Sequence, residues 1–286
     1  MAITTELIKI VREKSGAGML DCKKALEACD WLREKGIAKA AKKADRIAAE
    51  GLCSIKTEGN KAAILEVNSE TDFAAKSAPF VELVNKLTNY VFNSDVTSAE
   101  AALALTTEEG TVETVLQAAT GQIGEKMTLR RCEVVTKNDN QSFGYYIHMG
   151  GKVSALVLLG QDNAEVAKDL SIHVAANKAL YLTKADIPAE ELERETAVQL
   201  EIVKNDPKLA GKPEAALAKI VEGKVNKTFV DSVLSEQPYL MDESLTVGKY
   251  LAQHNLSIVK YVRYAVGEGI ERRQDNFVEE VMNQAK

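Results

Sequence analysis

Histidine, cysteine and tryptophan are scarce in this chain: three, four and one among 286 residues. The histidines, His148, His173 and His254, fall in separate elements, and neither HxxxH nor HExxH occurs, so no zinc pattern is present. Cys22, Cys29, Cys53 and Cys132 form no CxxC pair and are too few to staple a chain of this length. They read as reduced thiols in a cytoplasmic protein. No GxSxG is found, and no cysteine stands in a context that would depress its pKa, so a nucleophile is lacking. No apolar export signal opens the chain and no uninterrupted apolar run reaches membrane length, which predicts a protein neither exported nor membrane-spanning. A net charge of -6 argues against gripping nucleic acid by phosphate neutralisation over the whole surface. What remains is an ordinary globular composition, 45% hydrophobic and 27% charged, long enough for two or more domains, with no sign of an enzyme, metal or cofactor site.

One stretch stands out against that background: Asn68-Ser69-Glu70-Thr71-Asp72-Phe73-Ala74-Ala75-Lys76. It follows the apolar run 62–67, which reads as a buried strand, and precedes a helix beginning near Ser77 or Pro79. A connection that only turned the chain would carry Gly, Asn and Ser rather than an aromatic beside a carboxylate. Phe73 lies seven residues before Phe80, the first of a helical stripe continuing through Leu83, Val84, Leu87 and Val91, so it can be read as core. Pro79 interrupts the backbone ladder between them, so it can equally be read as an exposed binding group on a rigid mount.

The rest of the chain predicts an α+β fold. Leu7, Ile10 and Val11, then Cys22, Ala25, Leu26 and Cys29, mark two short helices joined at Gly16–Gly18, and a third Ala- and Lys-rich pattern covers 31–50. Residues 1–50 carry eleven Lys and Arg against eight Asp and Glu, and Lys39, Lys42, Lys43 and Arg46 make a basic helix that could touch RNA or an acidic surface. Residues 52–67 read as a hairpin around Glu58-Gly59-Asn60, followed by helices at 79–93 and 101–119 and a strand at 127–135. The order hairpin, apolar strand, helix recurs from Tyr145 to Ala176, which predicts two half-domains with antiparallel sheets covered by helices. Residues 187–230 read as a protruding helical hairpin around a loop with two prolines, and a helix at 247–254, a strand at 258–266 and a terminal helix through Phe277 and Val281 close the chain.

Read together, these segments resemble a known family. Ser15-Gly16-Ala17-Gly18-Met19-Leu20-Asp21-Cys22-Lys23-Lys24-Ala25-Leu26 is similar to the N-terminal signature of bacterial elongation factor Ts. Thr71-Asp72-Phe73-Ala74-Ala75-Lys76 resembles its second signature, with Ala74 where Val is usual. Ile123-Gly124-Glu125, His173-Val174-Ala175-Ala176 and Val266-Gly267-Glu268-Gly269-Ile270-Glu271 are similar to further family segments. The resemblance departs in three further places: Ala179 replaces a frequent Pro, Ala265 a frequent acid, and about eight residues, roughly two helical turns, are missing between Asp30 and Trp31.

The resemblance implies five parts: a ubiquitin-associated-like helical domain at 1–50 with a shortened third helix, core halves at 51–139 and at 140–186 with 231–262, the helical hairpin at 187–230, and a C-terminal module at 263–286. It implies guanine nucleotide exchange on elongation factor Tu, in its GDP-bound and nucleotide-free forms, with Thr71, Asp72, Phe73 and Ala74 disturbing the partner's Mg²⁺ site. Met19, Leu20, Lys23, Lys76, Ile123, Gly124 and His148 are further expected contacts. No cofactor and no membrane are expected, and the net charge argues against nucleic acid as a partner. Two other classes stay open: an RNA-binding translation factor using the basic helix 39–46, and a small-molecule hydrolase with a pocket of convergent polar groups.

Overall fold

The apolar run ahead of Phe73 becomes a strand whose residues from Ala62 to Ser69 are all buried. A computed structural model describes residues 3–209 and 212–271, which divide into two units. The first comprises residues 3–135, 150–152 and 264–271; the second comprises 136–149 and 153–263. Both combine helices with small antiparallel sheets, an α+β architecture.

The first unit begins with α1 (Thr5–Ser15), capped by Thr4 Oγ1 accepting from Leu7 N at 3.2 Å. Helix α2 (Met19–Ala41) follows after a short turn at the glycines, as expected for a helix connector. Here the sequence reading needs correction. The second and third helical patterns do not form separate helices: they run on as one rod of 23 residues, because no Gly or Pro near Asp30 and Trp31 breaks the helix. The rod ends at Ala41, so Lys42, Lys43 and Arg46 leave the helix, and Glu50 already opens a strand.

β1 (Glu50–Glu58) and β2 (Lys61–Ser69) pair antiparallel, Glu58 opposite Lys61. A one-turn helix α3 (Asp72–Ala75) leads to α4 (Ala78–Phe92), which takes Pro79 in its first turn, where no backbone hydrogen bond is lost. Phe80, Leu83, Val84, Leu87 and Val91 bury one face of α4 on Ala63, Leu65 and Val67 of β2. A fully buried Phe such as Phe80 contributes about 2–3 kcal/mol by area.

The segment read as one helix from Ala101 to Ala119 is instead α5 (Ala99–Leu103), a two-residue ribbon of β3 (Thr106–Thr107) and β4 (Gly110–Thr111), and α6 (Val112–Ile123). Three threonines and a glycine favour the extended ribbon over helix, and Thr111 then caps α6 by accepting from Thr114 N at 3.2 Å. β5 (Thr128–Thr136) completes the sheet in the order β1-β2-β5. Helix α2 docks on α6 where two glycines meet: a Cβ on Gly121 would lie 2.7 Å from Gly36 Cα.

On the other side of β2 sits a buried charge. Glu66 is fully buried and accepts from Asn68 Nδ2 (3.0 Å), Gly267 N (2.8 Å), Arg130 Nη1 (3.1 Å) and Arg131 Nε (2.5 Å). Arg131 also donates to Ala265 O at 3.0 Å and stacks on the Tyr264 ring at 4.3 Å, so this knot ties residues 264–268 to the sheet.

The second unit contains β6 (Ser142–His148), β7 (Val153–Leu159), α7 (Ala164–Ala176), α8 (Ala189–Lys204), α9 (Glu214–Phe229), β8 (Pro238–Tyr239), β9 (Asp242–Thr246), α10 (Val247–Gln253) and, up to Arg263, β10 (Ile258–Ala265). Its sheet order is β10-β7-β6, covered by α7. Helices α8 and α9 form a hairpin whose inner face is Val203, Val221, Val225 and Phe229. The terminal helix expected through Phe277 and Val281 lies outside the described residues.

Candidate functional site

Phe73 is 83% exposed, so it is not the first member of the α4 stripe. It sits on α3, a helix of four residues, too short to persist by its own hydrogen bonds. Its neighbours hold it. Ala74 and Ala75 are buried against the sheet, while Thr71 caps the turn by accepting from Ala74 N at 3.2 Å. The Glu125 carboxylate clasps Thr71 twice, accepting from its backbone N–H at 2.9 Å and its hydroxyl at 2.7 Å. Ser69 Oγ donates to Thr71 O at 3.0 Å, and Ser77 Oγ to Ala74 O at 2.7 Å.

A second carboxylate mirrors the first. Glu70 accepts from Lys126 N at 2.7 Å and from Arg46 Nη1 at 3.2 Å. Lys126 Nζ in turn donates to Ala44 O at 2.6 Å and Arg46 O at 2.9 Å. Gly124 ends α6 in the left-handed region at φ 89°, and its carbonyl accepts from Lys43 Nζ. That conformation, costly for a residue with a Cβ, turns the chain so that Glu125 reaches Thr71. Ile123 and Gly124, expected as partner contacts, thus stand beside the loop's brace. Lys43 and Arg46 of the basic segment are engaged in the same brace.

Asp72 lies on the exposed side beside Phe73, with Lys76 Nζ 2.7 Å from its Oδ2. The hydrogen bond from Lys76 holds the Asp72 carboxyl below its ordinary pKa, and Asp72 raises Lys76 in return. Both side chains are largely exposed, so the pair adds little to stability.

The remaining expected contacts fall in two places. Met19 and Leu20, 42% and 65% exposed, begin α2, and Lys23 pairs with Glu27 at 3.7 Å one turn on. His148 belongs to the second unit, exposed at the end of the edge strand β6, its ring 5.9 Å from that of Tyr146. Tyr145, Ile147 and Met149 are also exposed there.

Neither of the buried groups that chemistry would favour is built for it. His173 is fully buried: Nδ1 accepts from Leu240 N at 3.2 Å, which leaves Nε2–H to donate to Gln237 Oε1 at 2.9 Å. Desolvation lowers its pKa, so the ring is a neutral structural link. Burial pushes the Cys132 thiol up to about 11. Among the described residues no group of three or more His, Cys, Asp or Glu could hold a metal ion.

Reasoning from the sequence missed Glu125 and Glu70 as supports of the Phe73 mount. The acid directly before Thr71 was the available signal for Glu70, whereas the contact of Glu125 with Thr71 spans 54 positions and has no local mark in the sequence.

Comparison with known proteins bears on the same segments. Residues 70–268 match the family model described as "Elongation factor TS". Along 99% of its length the chain is 49% identical to "Elongation factor Ts" of Acholeplasma laidlawii (strain PG-8A), 99% of which is covered. That alignment spans 293 positions, more than this chain's length, so the relative carries residues with no counterpart here.

Proposed function

The chain belongs to the elongation factor Ts family, and from that premise we propose that it is a guanine nucleotide exchange factor for elongation factor Tu. The observation that carries the proposal is an aromatic ring 83% exposed on a turn fixed from beneath and from both sides. An exposed Phe gains nothing in the free chain and is suited to filling an apolar crevice of a partner, the role that buried aromatic anchors take in interfaces.

Nucleotide release then follows from coupling. A factor that binds the empty partner more tightly than the loaded one must weaken nucleotide binding by the same factor. Mg²⁺ bridging phosphate oxygens supplies much of a nucleotide's hold, so moving the backbone that carries the metal's ligands is an effective lever. In this reading Phe73 enters the partner and displaces that backbone, and Asp72 brings negative charge alongside. Thr71 and Ala74 set the angle of entry, and Lys76 keeps Asp72 oriented until docking. Met19, Leu20 and Lys23 supply a second contact, and His148 with its exposed neighbours a third. The chain itself makes and breaks no bond.

The test is release of labelled GDP from elongation factor Tu with and without this chain. Truncating a buried aromatic anchor costs about 2–4 kcal/mol, so Phe73→Ala should slow stimulated release about 30- to 1000-fold at equal, sub-saturating concentration. Equal acceleration by the variant would remove Phe73 from the mechanism.

A further inference from the structure

Helix α2 uses two faces within its unit. Cys22 is buried beside Ser15 at the end of α1, its Sγ 3.8 Å from Ser15 Oγ. Gly36 approaches Gln117 and Gly121 of α6, and Ala40 shares the lining of a cleft with Leu116 and Gln117. At helical periodicity positions 20, 24, 27 and 31 fall together on the side away from 22, 36 and 40. That side carries Leu20 and Trp31, 65% and 53% exposed, with the exposed Lys24 and Glu27 between them. Lys35 Nζ lies 4.1 Å from a Trp31 ring centroid, and the tryptophan is still 53% exposed.

The order apolar, basic, acidic, apolar along this stripe is complementary to itself when reversed. An antiparallel two-fold axis crossing between Ala25 and Leu26 sets Leu20 against Trp31 of a second copy, and Lys24 against Glu27 of that copy, each pairing occurring twice. We propose that this face of α2 is a homodimer interface, occupied by α2 of a second copy of this chain. A self-complementary charge order is what an isologous contact requires, whereas an unrelated partner would need no such symmetry. Two Leu–Trp contacts and two ion pairs are small beside an ordinary stable interface, so the dimer is weak and forms on the order of 10 µM. Because Leu20 also belongs to the proposed contact with elongation factor Tu, dimer and complex compete for it.

Trp31 is the sole tryptophan, so the interface carries its own reporter. The experiment uses the full chain alone, and its outcome is therefore independent of the exchange reaction. Emission maximum and sedimentation mass are followed together from about 1 to about 200 µM, a window bracketing that constant. The expected result is a blue shift and a doubling of mass over the same concentrations. Glu27→Lys, which sets like charges against Lys24 twice, should weaken association about tenfold or more. The exchanged pair Lys24→Glu with Glu27→Lys restores opposite charges and should bring association back. Three outcomes would overturn the proposal: monomer mass throughout with red emission; monomer mass with emission already blue at every concentration, which means the chain covers Trp31 itself; or a dimer that Glu27→Lys leaves unchanged.

Discussion

Glu66 offers the sharpest test of how the first unit is held together. It is fully buried in the middle strand, and four donors converge on its two oxygens at 2.5–3.1 Å. Glu66→Gln keeps the shape and removes the charge. If the remaining oxygen stays with Asn68, Gly267 and Arg130, the new NH₂ faces the Arg131 N–H, donor against donor. Breaking a buried ion pair from one side costs about 3–5 kcal/mol. The two arginine side chains are 26% and 28% exposed and can turn partly to water, so about 2–4 kcal/mol is the appropriate expectation. For a chain of this size that lowers Tm by roughly 5–15 °C. Differential scanning calorimetry at neutral pH measures it, with Glu58→Gln at the exposed tip of the same hairpin as the control, expected within about 1 °C. A shift for Glu66→Gln no larger than the control's would refute the reasoning that this knot anchors residues 264–268 to the sheet.

Phe73→Ala should leave Tm within about 1 °C while abolishing most stimulated GDP release, because an 83% exposed ring leaves no cavity behind; a large loss of stability would mean that the ring supports the fold. His173 titrates in the opposite sense to a stabilising cation: its native pKa lies below the ordinary 6.5, so the unfolded chain binds the proton more readily. Its share of stability is complete above pH 6.5 and falls as pH drops below that value toward the native pKa, so denaturant midpoints at pH 8 and pH 5.5 should differ more than in His173→Gln. Gly→Ala should change sign with position. At Gly223 in α9, where no heavy atom lies within 4 Å of the added Cβ, helix propensity stabilises by about 0.5–1 kcal/mol. At Gly121 the Cβ meets Gly36 Cα at 2.7 Å and forces the helices apart at about 1–3 kcal/mol; equal signs in urea melts would refute the tight crossing.

Local pattern made much of the fold legible. The hairpin from β1 to β2, the stripe of α4 and the charged helical pair α8 and α9 were readable because each is set by period, turn residues and proline placement within its own span. The misreadings have physical causes. Two apolar phases on either side of Asp30 looked like two helices, yet with no breaker between them hydrogen bonding simply continued, which left Trp31 facing away from the side that holds Cys22. Residues 106–111 were absorbed into a helix because their neighbours are Ala and Leu; the threonines decided otherwise. Glu125 could not be assigned to Thr71 from the chain alone, since their contact spans 54 positions and nothing local announces it. Glu66 was different: a lone acid inside an apolar strand is itself a sign that cationic partners are waiting, and Arg130 and Arg131 stand adjacent in the sequence.

The exposed ring and its hidden supports divide the work between fold and function. A four-residue helix with a bare aromatic on top has no reason to stay ordered, and here order comes from below and from the flanks: Ala74 and Ala75 in the core, Glu125 on Thr71, and Glu70 tying the same loop to Lys126 and Arg46. Each support is a group other than the ring. Holding the mount in one conformation before binding removes ordering costs of about 0.5–1.5 kcal/mol for each side chain that would otherwise be immobilised at the interface. In the free chain Phe73 contributes almost nothing to stability, so the whole of its apolar surface is available to a partner. A softer mount would have let the ring fold back onto the sheet, gaining a little stability and losing the projection on which the proposed exchange depends.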